Sequence, residues 1–161
     1  MMSARPVVCT VLFYVVASLV DVLVVEFIIR STSAWSIISY WHSALTLLLI
    51  TTPALISLAT NSTKPLILGI LYYITCVEDL MYALWCSLLR LWTWDWVDPF
   101  FSWYWLDKSP FVRLIATVLG LPHVTTLCLY ISCGVATVLT LLIARIREVS
   151  VVGSCAKVRY L

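Results

Sequence analysis

PVVCTVLFYVVASLVDVLVVEFII, residues 6–29, is the stretch that decides the fold. Its only charges are Asp21 and Glu26, and it stops at Arg30. A helix rises about 1.5 Å per residue and needs ~20 mostly apolar residues to cross the hydrocarbon layer. The run meets that length. It exceeds the ~7–15 apolar residues of a signal peptide and lacks a clear small-x-small cleavage site, so it reads as a retained first span.

Working outward, three further runs have the same character: residues 38–60, 65–88 and 123–146. Arg30-Ser31-Thr32-Ser33 is a short polar link after the first, and Asn61-Ser62-Thr63-Lys64 a tight turn after the second. Pro53 inside the second run can kink it, which a membrane tolerates when neighbours satisfy the freed carbonyl. Hydrophobic residues make up 63% of the 161-residue chain, charged residues 11%, and mean hydropathy is +1.04. Soluble domains average about 45–50% apolar, and a fold this small cannot hide such an excess from water. The expectation is an all-α integral membrane protein: one membrane domain over residues 1–161, built as a four-transmembrane-helix bundle.

Residues 90–121 are different. Trp92, Trp94, Trp96, Phe100, Phe101, Trp103, Tyr104 and Trp105 stand among Asp95, Asp98, Asp107, Lys108 and Arg113. The segment is too charged to cross lipid and too aromatic to float in water, a balance that favours the headgroup layer. Asp98-Pro99 and Ser109-Pro110 each read as an N-cap before a proline in the first helical turn, so short interfacial helices are expected, the second from Pro110 to about Leu121. The tail, 147–161, is short and basic.

Other classes fall away. A net charge of +2 without a dense basic cluster excludes a nucleic-acid partner. The six cysteines form no CxxC pair and mostly sit in apolar runs, so neither a disulfide framework nor a zinc ribbon is indicated. No GxSxG, phosphate loop, HxxxH, HExxH or ExxH is present, and no motif specifies a cofactor or a metal. Cys128 and Cys133, five apart, occupy different helix faces.

Four spans put both termini on one side, with Arg5, Lys64, Arg145, Arg147, Lys157 and Arg159. The other side holds Arg30, Arg90, Lys108 and Arg113. Positive charge favours the cytoplasm, so both termini are expected there, in a multi-pass protein of the cell membrane. Asn61-Ser62-Thr63 would then be a plain polar turn on the cytoplasmic side.

The same count gathers the costly residues on the opposite, loop-bearing face. All eight tryptophans fall there, as do seven of the eight acids, all but Glu148. Asp21 lies ~12 Å, and Glu78 and Asp79 ~13–15 Å, below that face. His42 and His123 stand near it. A carboxyl at membrane depth costs about 2.5–3.5 kcal/mol on insertion scales, so it faces the bundle interior and has a partner. A polar pocket is expected in this half of the bundle, with the aromatic segment over it as a lid.

Glu26 and Arg30, four apart, read as a surface ion pair. Asp21 and Glu26 are ~140° apart on an α-helix and should face different targets. Glu78, Asp79, Asp21 and His42 are the candidate acid–base residues, with Glu78 first. Tyr82, one turn after Glu78, joins Trp85, Trp41 and His123 as candidate substrate-binding residues. The plainer roles are interhelical hydrogen bonding for the acids and interfacial anchoring for the rings. The chemistry points to binding or converting a membrane lipid or a lipid-like or isoprenoid-like small molecule at one leaflet. An ion or proton transport component, its path made between the subunits of a homo-oligomer, and an assembly or scaffold subunit are the competing expectations.

Overall fold

In the computed structural model the described residues are 5–91 and 98–146. They form six α-helices: α1 (Arg5–Val22), α2 (Ile38–Thr60), α3 (Lys64–Ile74), α4 (Val77–Leu88), α5 (Pro110–Val118) and α6 (Thr126–Arg145). No strand occurs among the described residues, only one isolated bridge, Ser102 to Thr125. Three helices are long and apolar enough to cross a membrane: α1 with its continuation to Ile29, α2 and α6. The pair α3 and α4 makes a fourth if it is one bent span.

Helix α1 does not end at Val22. Leu23–Ile29 carries on as a π-helix, with Arg30 N–H bonded to the Val25 carbonyl at 3.0 Å, five residues back. The hydroxyls of Ser31 and Thr32 return to the Phe27 and Ile28 carbonyls and satisfy the last turn. A 3₁₀ turn, Trp35–Ile37, leads into α2. Helix α2 ends where Asn61 enters the left-handed region (φ 50, ψ 42), with Ser62 N–H reaching back to the Ser57 carbonyl. Pro65 then starts α3, where a missing N–H costs nothing.

The third expected span, 65–88, is not one straight helix. It breaks at Thr75-Cys76, and α3 and α4 diverge by 70°. Cys76 is left-handed (φ 54, ψ 38) without being glycine. Tertiary bonds support the break: Ser132 Oγ of α6 donates to the Thr75 carbonyl at 2.7 Å, and Thr75 Oγ1 donates to the Leu71 carbonyl at 2.7 Å.

Pro53 organises the packing of α1, α2 and α3. It has no N–H for the Leu49 carbonyl, four residues earlier. The Tyr14 hydroxyl, on a side chain 1% exposed, supplies the missing donor, pointing at the Gly69 carbonyl (2.8 Å) and the Leu49 carbonyl (3.2 Å). Gly69 lets α3 lie directly on the proline. A Cβ there would stand 2.5 Å from Pro53 Cβ and 2.7 Å from Cγ. Around this point Tyr14, Leu45, Leu49, Leu68 and Tyr72 form one core cluster.

A second cluster joins α4, α5 and α6, with Trp103 at its centre. Here the expectations need correction. Residues 98–101 form a turn and no helix, with Asp98 Oδ1 accepting Phe100 N–H at 2.8 Å. Tyr104–Lys108 is a 3₁₀ turn, and α5 ends at Val118. The last span begins at Thr126, three residues after His123. Residues 123–125 are drawn out because they pair with the aromatic segment: Trp103 N–H to the Val124 carbonyl at 2.7 Å, and Thr126 N–H to the Phe101 carbonyl at 3.1 Å. Trp92, Trp94 and Trp96, the tail and the side chain of Trp35 lie outside the described residues.

The ends of the helices register with one another. Lys64 Nζ, at the start of α3, donates to the Ala144 carbonyl near the end of α6 at 3.2 Å. Val7, at the start of α1, belongs to a cluster that Ile143 and Ala144 pack against. The starts of α1 and α3 and the finish of α6 therefore share one end of the bundle.

Candidate functional site

The acids of α1 and α4 meet across a polar seam. Asp21 is buried, and its Oδ1 accepts Trp41 Nε1–H of α2 at 2.6 Å. Its carboxyl also lies within hydrogen-bonding reach of the Glu78 carboxyl. Two carboxyls at that distance repel when both are ionised, so the contact is stable only with a proton or cation between them. Glu78 Oε1 is buried and has no partner among the described residues. Such an orphan is rare in a native structure and calls for an explanation.

Asp79 faces elsewhere, as its ~100° offset from Glu78 requires. It lies close to Cys76 at the helix break and within electrostatic reach of Cys133 on α6. Both acids occupy the first turn of α4, where the helix dipole favours negative charge.

Glu26 was expected to have a different target from Asp21, and its partners do differ. It faces α4 as well: Tyr82 Oη–H donates to Glu26 Oε1 at 2.9 Å, while Arg30 grips Oε2 at 2.5 Å. The π-helix is the reason. Its i→i+5 bonding makes residues five apart neighbours on successive turns. The Glu26 side chain is only 5% exposed and that of Arg30 is 50% exposed, so the pair is half a surface pair and half a buried one. Tyr82 thus partners Glu26, although its position one turn after Glu78 keeps it near that acid too. Trp85 Nε1 lies 3.2 Å from both the Val15 carbonyl and Ser18 Oγ. Ser18 is a member of the seam that no spacing or motif announces.

His42 is exposed on α2, within electrostatic reach of Asp21 and in no hydrogen bond with it. His123 is not part of the seam. Its Nδ1 lies 2.7 Å from Asp107 Oδ2, and its ring meets Tyr104 edge-on at 4.6 Å. Asp107 Oδ1 accepts Val124 N–H at 2.8 Å, and Arg113 approaches both Asp107 and the Pro122 carbonyl. The segment 98–108 therefore packs on α4, α5 and α6 and clasps the start of α6. The expected lid over the acids does not form from these residues.

The Asp107 carboxyl is drawn below the usual carboxylate range, first by the bond from His123, then by Val124 N–H, with Arg113 adding to both. A depressed folded value means the contribution to stability is complete above the unfolded value of 3.8 and fades as pH falls through the lower folded one. Asp107→Asn is therefore expected to destabilise the clasp at neutral pH, with wild type and variant converging as pH falls well below the ordinary 3.8. Tryptophan emission followed through unfolding at several pH values checks this. A gap of constant size down to the lowest pH would contradict it.

A half-open cleft of about 240 Å³ runs beside the seam, between α1, α3, α4 and α6. Val11, Tyr14, Tyr72, Val77, Met81 and Thr137 are among its walls, which are largely apolar. Val77 is the residue before Glu78, and Tyr14 lies within electrostatic reach of that acid. The Tyr72 hydroxyl is spent on Thr140 Oγ1 at 2.9 Å. Among the described residues no group of three or more His, Cys, Asp or Glu is placed to hold a metal ion. Comparison with protein-family models, with curated proteins and with solved structures returned no match.

Proposed function

We propose that the chain is a four-span protein of the cell membrane, both termini cytoplasmic, that binds and protonates or deprotonates a lipid-like or isoprenoid-like molecule at one leaflet. The observation that carries this reading is the buried, unpartnered Oε1 of Glu78, set against Asp21 and beside an apolar cleft. A costly acid in an apolar bundle is the usual mark of function. The cleft offers an acyl or prenyl chain a surface to lie on. The bend of the α3–α4 pair leaves it long enough to span: about 16 Å and 18 Å of helix, each inclined by half of the bend, rise ~28 Å together. The shared end of α1, α3 and α6 supports placing Arg5, Lys64 and Arg145 together on the positive side.

The test is native mass spectrometry of the purified protein with its co-purifying lipid. Thr137→Trp fills the exposed mouth of the cleft and is expected to remove the bound molecule. Glu78→Gln is expected to weaken its retention about tenfold or more, the worth of a hydrogen bond to an ionised group. Equal occupancy in wild type and both variants would overturn the reading.

The broken helix favours a second reading, an ion or proton transport component. Discontinuous helices meeting near the midplane commonly hold coupling ions. Proteoliposome flux that vanishes in Asp21→Asn would favour it over the first.

A further inference from the structure

An acid buried among apolar helices is useful more than once only if its proton can be replaced, and hydrocarbon carries none. Three observations outline a route. Arg30, half-exposed beyond the last turn of the π-helix, holds Glu26. Glu26 accepts from Tyr82, which lies one turn after Glu78 on α4 and within electrostatic reach of Asp21. Asp21 in turn meets Glu78. We infer that Glu26 and Tyr82 are relay residues that carry protons between the loop-bearing surface and the Asp21–Glu78 pair. The π-helical turn, which swings Glu26 onto the face toward α4, is what completes the line. This rests on the acid–base reading proposed above.

The step balances. A proton arrives on the Glu26 carboxyl. The Tyr82 hydroxyl, which donates to Glu26 in the structure, turns its hydrogen toward the carboxyl pair; the Glu26 proton then passes to the Tyr82 oxygen as the tyrosine's own proton leaves for the pair, so that Tyr82 is neutral before and after. Tyr82 follows Glu78 by one helical turn and shares its face of α4, and the relay places a bridging water between the Tyr82 hydroxyl and the carboxyl pair. Besides Cys86, buried on α4 against Tyr82, Glu26 and Asp21, the titratable groups facing the pair are His42 on α2, Tyr14 on α1 and Asp79 on α4. None of these three makes a hydrogen bond to Glu26 or Tyr82 among the described residues. Among the described residues the relay meets the surface at Arg30, and the exposed His42 near Asp21 marks a second approach to the pair.

The protein in lipid nanodiscs provides the experiment. Infrared spectroscopy reads the carbonyl stretch of a protonated carboxyl, and a change to heavy water times its exchange. Glu78→Gln and Asp21→Asn identify the band. Tyr82→Phe and Glu26→Gln are each expected to slow its exchange by at least about tenfold, a barrier change of ~1.4 kcal/mol. Tyr40→Phe, which removes an exposed hydroxyl of α2 outside the seam and the cleft, should leave the rate unchanged. Unaltered exchange in both relay variants would overturn the relay and leave the acid–base reading standing. A band that neither Glu78→Gln nor Asp21→Asn removes, or no band, would overturn both.

Discussion

Trp103→Ala is expected to destabilise the protein by about 3–5 kcal/mol, the largest effect of any single truncation considered for this chain. The ring is 1% exposed and packs among Leu80 and Ala83 of α4, Val112 and Ala116 of α5, Val124 just before α6 and Cys128 within it. It meets Phe101 at 6.0 Å and Trp105 at 5.2 Å, both edge-on, and its Nε1–H donates to Thr126 Oγ1 at 2.9 Å. Removing it opens a cavity where three helices converge. An interfacial anchor behaves otherwise, because lipid refills the space. Equilibrium unfolding in mixed detergent micelles separates the two. A change within about 0.5 kcal/mol of wild type, as for a surface substitution, would return Trp103 to the membrane surface.

Gly69→Ala is expected to destabilise by about 1–3 kcal/mol, against the helix preference of alanine. Alanine gains ~1 kcal/mol over glycine in a helix interior, so the sign depends on the clash. The new methyl would stand 2.5 Å and 2.7 Å from two atoms of the Pro53 ring. A proline ring has no rotamer to escape into, so α2 and α3 must separate. Separation also stretches the bonds from Tyr14 to the Gly69 and Leu49 carbonyls, coupling the damage to α1. The same unfolding measurement reports it. Gly134→Ala, with open space around its Cβ position, serves as the control and should stabilise or do nothing. Equal behaviour of the two variants would mean that the α2–α3 contact is loose.

Much of this architecture is legible in the residues. Apolar length places α1, α2 and α6, and Ser109-Pro110 marks the start of α5 to the residue. Four-residue spacing foretells the Glu26–Arg30 pair. The break at Cys76 is not legible, because no glycine or proline announces it. It depends on Ser132, 57 residues away in sequence, holding the Thr75 carbonyl. Trp103 is misread for a similar reason: composition tells that a ring prefers an interface, while only tertiary structure tells that α4, α5 and α6 enclose this one. At the candidate site, the burial of Asp21 agrees with an acid counted into the interior of the first span. The approach of Asp21 and Glu78 to one another does not follow from counting, and neither does Tyr82 choosing Glu26. Both depend on how α4 crosses α1, which a one-dimensional period does not encode.

The wide turn at Leu23–Ile29 leaves the chain one residue longer than an ordinary helix would need to bring Arg30 to the same height. Deleting a single residue between Asp21 and Glu26 would leave the two acids four apart, the spacing of neighbours on successive turns of an ordinary helix. A homologous chain one residue shorter here should therefore run as a plain α-helix and still turn its acid toward α4. The surplus residue is best understood as an insertion that the wide turn absorbs without displacing the groups beyond it.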